Sequence, residues 1–323
     1  MSEVMVPQRG TNNLGARIRA MLTTLRRYWT EAEGYQKFAY VIGALLILSA
    51  VFHTGVLVVT GGSLEGDVSW RKPILFGEAF GLTAVSVAWF MTFLPKKRVR
   101  GWLLLGALAV ANFVEVFWVS MQQWRGVPSH FNFSTPFDAA LFNANGVMIG
   151  FTVTVIAIVA IWSLFSLQAP PSLAWAIRAS MALLVVAQIF GILIIAKVID
   201  FQTGEFISEG TRSAYIFGEA GDMKVPHALT LHAAQVLPVL AWLLLFTNWS
   251  EIRRTQAVIV AAAGYTGLVA VSAFQTFSGV APFDLSLVAA LVFGISAGGL
   301  IVAYAAALIG LQRTLAHINM VKV

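Results

Sequence analysis

The chain of 323 residues is 58% hydrophobic and 11% charged, with a mean hydropathy of +0.79, far from the roughly 45–50% apolar and 25% charged composition of soluble domains. It reads as one all-α polytopic membrane unit, because its apolar runs recur too evenly for two soluble domains. The lack of cysteine excludes disulfides, thiolate metal centres and cysteine nucleophiles, and the net charge of +6 follows membrane topology, with no nucleic-acid partner implied.

Residues 1–13 are polar and expected to be mobile. Over residues 14–29, Arg17, Arg19, Arg26 and Arg27 alternate with Leu14, Ile18, Met21, Leu22 and Leu25 at helical spacing. That pattern predicts either a basic amphipathic helix on an anionic membrane face or a solvated basic arm. No apolar core with a small-residue cleavage site opens the chain, so a cleaved signal peptide is not expected. Requiring about 20 apolar residues per span predicts eight transmembrane helices, near residues 38–60, 73–95, 101–123, 139–167, 173–199, 226–248, 257–278 and 284–312.

Eight spans return the chain to the side it started from, and basic residues choose the side. With both termini cytoplasmic, the inner segments hold fifteen of the 21 basic residues, and Arg71, Lys72, Arg125, Lys197, Arg212 and Lys224 fall outside. The membrane expected is a bacterial-type plasma membrane. The chain divides into an arm (1–36), a first four-helix unit (37–167), a second (168–312) and a cytoplasmic tail (313–323).

An internal repeat supports that division. At a constant offset of 153, Pro73 matches Pro226, Trp89 matches Trp242, Phe93 matches Phe246, Gln122 matches Gln275, and Gly126 and Val127 match Gly279 and Val280. After a seven-residue deletion, Pro136, Phe137 and Asp138 match Pro282, Phe283 and Asp284. Two halves of four helices each point the same way, which predicts parallel repeats about a pseudo-twofold axis along the membrane normal.

Ionisable residues inside a bilayer are costly and usually used. Counted inward at about 1.5 Å per residue, His53, Glu78, Glu115 and His232 lie about 9–14 Å from the outer ends of four helices, while the inner halves read as almost pure Leu, Ala, Val and Ile. Residues 222–235 concentrate this chemistry. Pro226 is expected to open the helix, with His227 at its rim beside Asp222 and Lys224, and His232 deeper with Gln235. His227 and His232 lie about 140° apart around a helix and do not chelate one metal from one face. Glu115 shares a face with Asn112 and Gln122, and Glu78 lies between Gly77 and Gly81, a spacing that also permits close helix packing.

In the loop before the fourth span, Arg125, His130, Asn132 and Asp138 line a prospective entrance, where Arg125 could clamp an anion. The alternative is an aromatic belt of Trp124, Phe131, Phe133 and Phe137 with Asp138 as a helix cap. His317 falls after the last span and is expected to be a bystander. The repeat shares scaffold positions but not potent ones: Glu78 matches Leu231, Glu115 matches Leu268, Arg125 matches Ser278, and His232 matches Ala79.

Two imidazoles and two carboxyls suit iron, zinc or copper, and two facing imidazoles suit a b-type haem. The leading expectation is therefore a membrane oxidoreductase with His53 and His232 as ligands and Glu78, Glu115, Arg125 and His130 as catalytic groups. Its substrate, small or lipophilic, would enter from the outer side. The tandem bundles are similar in outline to haem A synthase, whose Glu-x-x-His signature is absent here, so no residue is carried over. The alternatives are a proton- or cation-coupled transporter using the buried Glu and His residues, and a non-catalytic sensor or assembly subunit.

Overall fold

A computed structural model describes residues 14–197 and 215–312. The N-terminal stretch before residue 14, the tail 313–323 with His317, and four of the counted basic residues (Arg9, Arg212, Arg313 and Lys322) lie outside the described residues.

Among the described residues, helix α1 (Leu14–Thr30) precedes eight helices long and apolar enough to cross a membrane. They are α2 (Gly34–Thr60), α3 (Arg71–Phe93), α4 (Arg98–Trp124), α5 (Pro136–Ser166), α6 (Pro171–Ala196), α7 (Lys224–Leu245), α8 (Glu251–Phe277) and α9 (Leu287–Gln312). Their exposed flanks carry large apolar side chains such as Leu48, Val51, Ile161, Phe165, Leu291 and Ile301, as expected of helices that face lipid. Between α6 and α7, β1 (Ile216–Phe217) pairs antiparallel with β2 (Gly221–Asp222).

Local chemistry sets the ends. Glu33 and Gln36 form a capping box before α2, and Gly61 closes that helix in the left-handed conformation at φ 66°. Thr135 caps α5 with Pro136 at the first helical position, and the Ser250 hydroxyl caps α8. Helix α7 starts at Lys224, two residues before the proline expected to open it. The first turns of α4 widen into a π-helical stretch at Trp102–Gly106.

From α2 onward each helix packs on its successor; in addition α1 contacts α9, α2 contacts α4, α6 contacts α8, and α3 contacts α7. One end of the bundle carries α1 and is called the α1 end. The other, the loop end, carries residues 125–135 and the β-hairpin. Buried polar residues also occur at the α1 end, outside the spans read from the sequence: Arg17, Gln36, Ser172 and Arg254 are all buried there. Sequence reasoning counted only residues within spans and overlooked what α1 inserts.

Helices α2 and α3 meet through glycine. A Cβ at Gly81 would lie 2.8 Å from the Gly43 carbonyl oxygen and 2.8 Å from Ile47 Cγ1, and one at Gly77 2.8 Å from the Leu46 oxygen. Small residues let backbones approach where no hydrophobic drive exists between helices. Gly81→Ala is therefore expected to cost about 1–3 kcal/mol through overpacking. Gly55→Ala, where nothing lies within 4 Å, is expected to be neutral or slightly stabilising. Thermal unfolding of the two variants side by side checks this.

Candidate functional site

The end of α4 is tied to the start of α5. Gln122 Nε2 donates to Asp138 Oδ1 at 2.8 Å, and Arg125 Nη1 donates to the same oxygen at 2.6 Å and also to Gln122 Oε1. The Thr135 hydroxyl donates to Asp138 Oδ2 at 2.7 Å and accepts the Asp138 N–H. Asp138 is thus the third residue of α5 locked to its cap, and Arg125 forms an ion pair across Phe137 with that buried carboxylate. Arg125 is accordingly no open anion clamp.

This contact fixes the antiparallel register of α4 and α5. Seven residues make almost two turns and return a helix to nearly the same face. Stepping by sevens from Gln122 along α4 meets Glu115, Leu108 and Gly101; stepping from Asp138 along α5 meets Asn145, Thr152 and Val159. All eight positions are buried. The seam sets Glu115 level with Asn145, about 10 Å in from the loop end.

Glu115 is 1% exposed and Asn145 3%. The Oε2 atom of Glu115 and both amide atoms of Asn145 are buried without a hydrogen-bond partner among the described residues. One turn deeper, Asn112 Nδ2 donates to the Phe80 carbonyl on α3 at 3.3 Å, and its Oδ1 is also unpartnered. Three oxygens and an amide nitrogen are therefore left unsatisfied, two on α4 and two on α5, about the α4–α5 junction. Each such group costs about 1–3 kcal/mol where it stays unmet. The arrangement accepts a proton, a cation or the N–H and O–H donors of a polar ligand.

Residues 125–135 fold over this junction. His130 packs edge-on to Phe76 of α3 at 5.2 Å and Phe142 of α5 at 6.4 Å, and Ser129 Oγ lies 2.9 Å from its Nδ1. Asn132 serves the turn, donating to the Pro128 oxygen and accepting from the Ser134 N–H and hydroxyl. Phe131 holds φ at 55°, an uncommon value for a side-chain-bearing residue.

The other expected site residues lie elsewhere. His53 Nε2 accepts from Trp124 Nε1 at 3.1 Å, and since an indole only donates, Nδ1 carries the proton and donates to the Ser49 oxygen at 2.8 Å. Both ring nitrogens are used, inside a cage of Phe52, Trp70 and Trp124. His227 points away from any rim, with Nδ1 2.8 Å from the Ala187 oxygen of α6. Asp222 pairs with Lys224 at 3.3 Å and accepts its N–H, and the Lys224 ammonium rests on the Tyr215 ring. Glu78 and His232 are half-buried and make no hydrogen bond among the described residues. Gln235 donates to Ser86 on α3 at 2.9 Å.

The histidine-ligated metal or haem centre expected from the sequence does not fit these residues. Among the described residues, no group of three or more His, Asp and Glu side chains is arranged to hold a metal, and His53 offers no lone pair. Compared with family models, with curated proteins and with solved structures, the chain matches none.

Two outcomes follow. Asp138→Ala strands Gln122 and Arg125 and is expected to cost about 1–3 kcal/mol in thermal unfolding. Burial, with Lys72 nearby, pushes the His130 imidazole down to about 3, whereas an unfolded chain protonates it near ~6.5. Between those values the unfolded state binds more protons, so stability is lost as pH falls through the window. The unfolding free energy is expected to drop on acidification from neutral towards about pH 4, by at most about 3 kcal/mol from this group, and the melting temperature to fall with it. His130→Gln should flatten that dependence.

Proposed function

We propose that the chain is an integral membrane carrier in which Glu115 exchanges a proton or cation, with Asn145 and Asn112 as its polar partners. The observation that carries this reading is the buried Glu115 oxygen with no donor, level with an asparagine whose amide is wholly unpartnered. A carboxylate in such a place must be accompanied by a proton or another positive charge. The unmet atoms of Asn145 and Asn112 add oxygens for a hard cation or contacts for a polar substrate.

The architecture we infer is two parallel four-helix repeats, residues 37–167 and 168–312, with a cytoplasmic arm and tail in a plasma membrane. Matched positions with matched local geometry support it. Val127 N–H donates to the Gln122 oxygen at 3.1 Å and Val280 N–H to the Gln275 oxygen at 3.0 Å, and Gly126 and Gly279 take φ of 69° and 72°. Both glutamines then turn Nε2 towards the start of the next helix. The positive-inside bias puts the α1 end in the cytoplasm and the Glu115 site in the outer half of the bilayer. The repeat mate of Glu115 is Leu268, so the exchange site belongs to the first half alone.

Proteoliposomes loaded with a pH-sensitive dye and given a sodium or potassium gradient provide the test. The wild-type protein is expected to couple the gradient to a change in internal pH, and Glu115→Gln to lose it while unfolding at the wild-type temperature. Unchanged coupling in a folded Glu115→Gln protein contradicts the proposal.

A further inference from the structure

Helix α1 has three distinct faces. Ile18, Leu22, Leu25 and Trp29 fall within about 60° of one another around the helix, and all are exposed, at 46%, 60%, 51% and 48%. Beside this stripe lie the exposed Arg19 and Arg26. The remaining face is docked. Arg17 is 1% exposed and donates to the carbonyl oxygens of Gly310 at 3.1 Å and Leu311 at 3.0 Å, the C-terminal groups of α9 that favour a cation.

Tyr28, 6% exposed, completes the docked face. Its ring meets Trp89 at 5.9 Å and Phe93 at 6.3 Å. Burial pushes its phenol up, and the indoles of Trp89 on α3 and Trp242 on α7 pull the other way. The Tyr28 hydroxyl and both indole nitrogens are buried, and none reaches a normal hydrogen bond among the described residues. Tyr28 therefore stands between one tryptophan of the first four spans and one of the last four, while Arg17 holds the end of α9.

We propose that α1 is a lipid-seated clasp: its apolar stripe inserts into an anionic bilayer surface, Arg19 and Arg26 meet the lipid phosphates, and the seated helix holds Tyr28 and Arg17 across the two sets of spans. The docked side is already taken by α3, α7 and α9, so the stripe faces outward. An apolar stripe with a basic flank at the edge of a transmembrane bundle complements an anionic interface. Lys97, Arg98 and Arg100 are exposed at the same end and extend the positive surface. This inference is independent of the chemistry at Glu115.

The cysteine-free chain permits a single environment-sensitive fluorophore at Leu22→Cys in the full-length protein. It is placed in nanodiscs of phosphatidylcholine alone or mixed with phosphatidylglycerol, and quenched by nitroxides on the acyl chains. Quenching is expected in the mixed discs, with salt weakening it. Arg19→Gln with Arg26→Gln should reduce the seated-to-free ratio by about tenfold or more. The mixed lipid should also raise the melting temperature, and Tyr28→Ala should erase that rise while leaving the quenching intact. Equal quenching in the two lipids overturns the proposal, as does a label shielded by a second copy of the chain in detergent, or a lipid-dependent rise that survives Tyr28→Ala.

Discussion

Gln122 and Asp138 join two antiparallel helices at their mouths, and the register they impose decides what the membrane interior of the first half contains. In hydrocarbon a buried polar atom has no water to fall back on, so a polar pair at the end of a seam is held firmly and whatever lies two turns below comes into register with it. Glu115 and Asn145 occupy that place. The strength of the outer contact, a carboxylate with a guanidinium, an amide and a hydroxyl around it, stands in contrast to the unmet atoms beneath. The Asp138 carboxylate at the mouth is fully engaged, while the groups beneath it are left for a proton or ligand to complete.

The second four helices use the same closing turn without the chemistry. Gln275 reaches backbone oxygens of Ala281 and Asp284 where Gln122 reaches a carboxylate, and seven residues below it stands Leu268 where the first group has Glu115. Further along, the two groups of helices touch through Gln235 and Ser86 and, at the opposite end, through the tryptophans that enclose Tyr28. They also share apolar packing, since α5 packs on α6 and one hydrophobic core draws on both groups.

The spans were legible because runs of about 20 apolar residues leave little choice, and the structure moves their ends by a few residues. The polar face of Asn112, Glu115 and Gln122 was also legible, since helical spacing shows it without a fold. Asn145 was not singled out. It lies seven residues after Asp138 in an apolar run, and its meaning depends on a register that no single helix reveals. His53 misled for a related reason: the group that fills its second nitrogen, Trp124, lies 71 residues away, and a histidine with one visible carbonyl nearby resembles a ligand. The rim role of His227 failed on the Ala187 carbonyl of a neighbouring helix, and Tyr28 was invisible because its burial depends on α1 docking.

The central claim is that Glu115 takes up and releases a positive charge inside the bundle. Infrared difference spectroscopy of the protein in lipid, across a pH titration and with added sodium, tests it most directly. A carboxyl band that titrates, disappears in Glu115→Gln and shifts in frequency in Asn145→Leu is the predicted result. A spectrum in which no carboxyl signal depends on Glu115, in folded protein, would contradict the account.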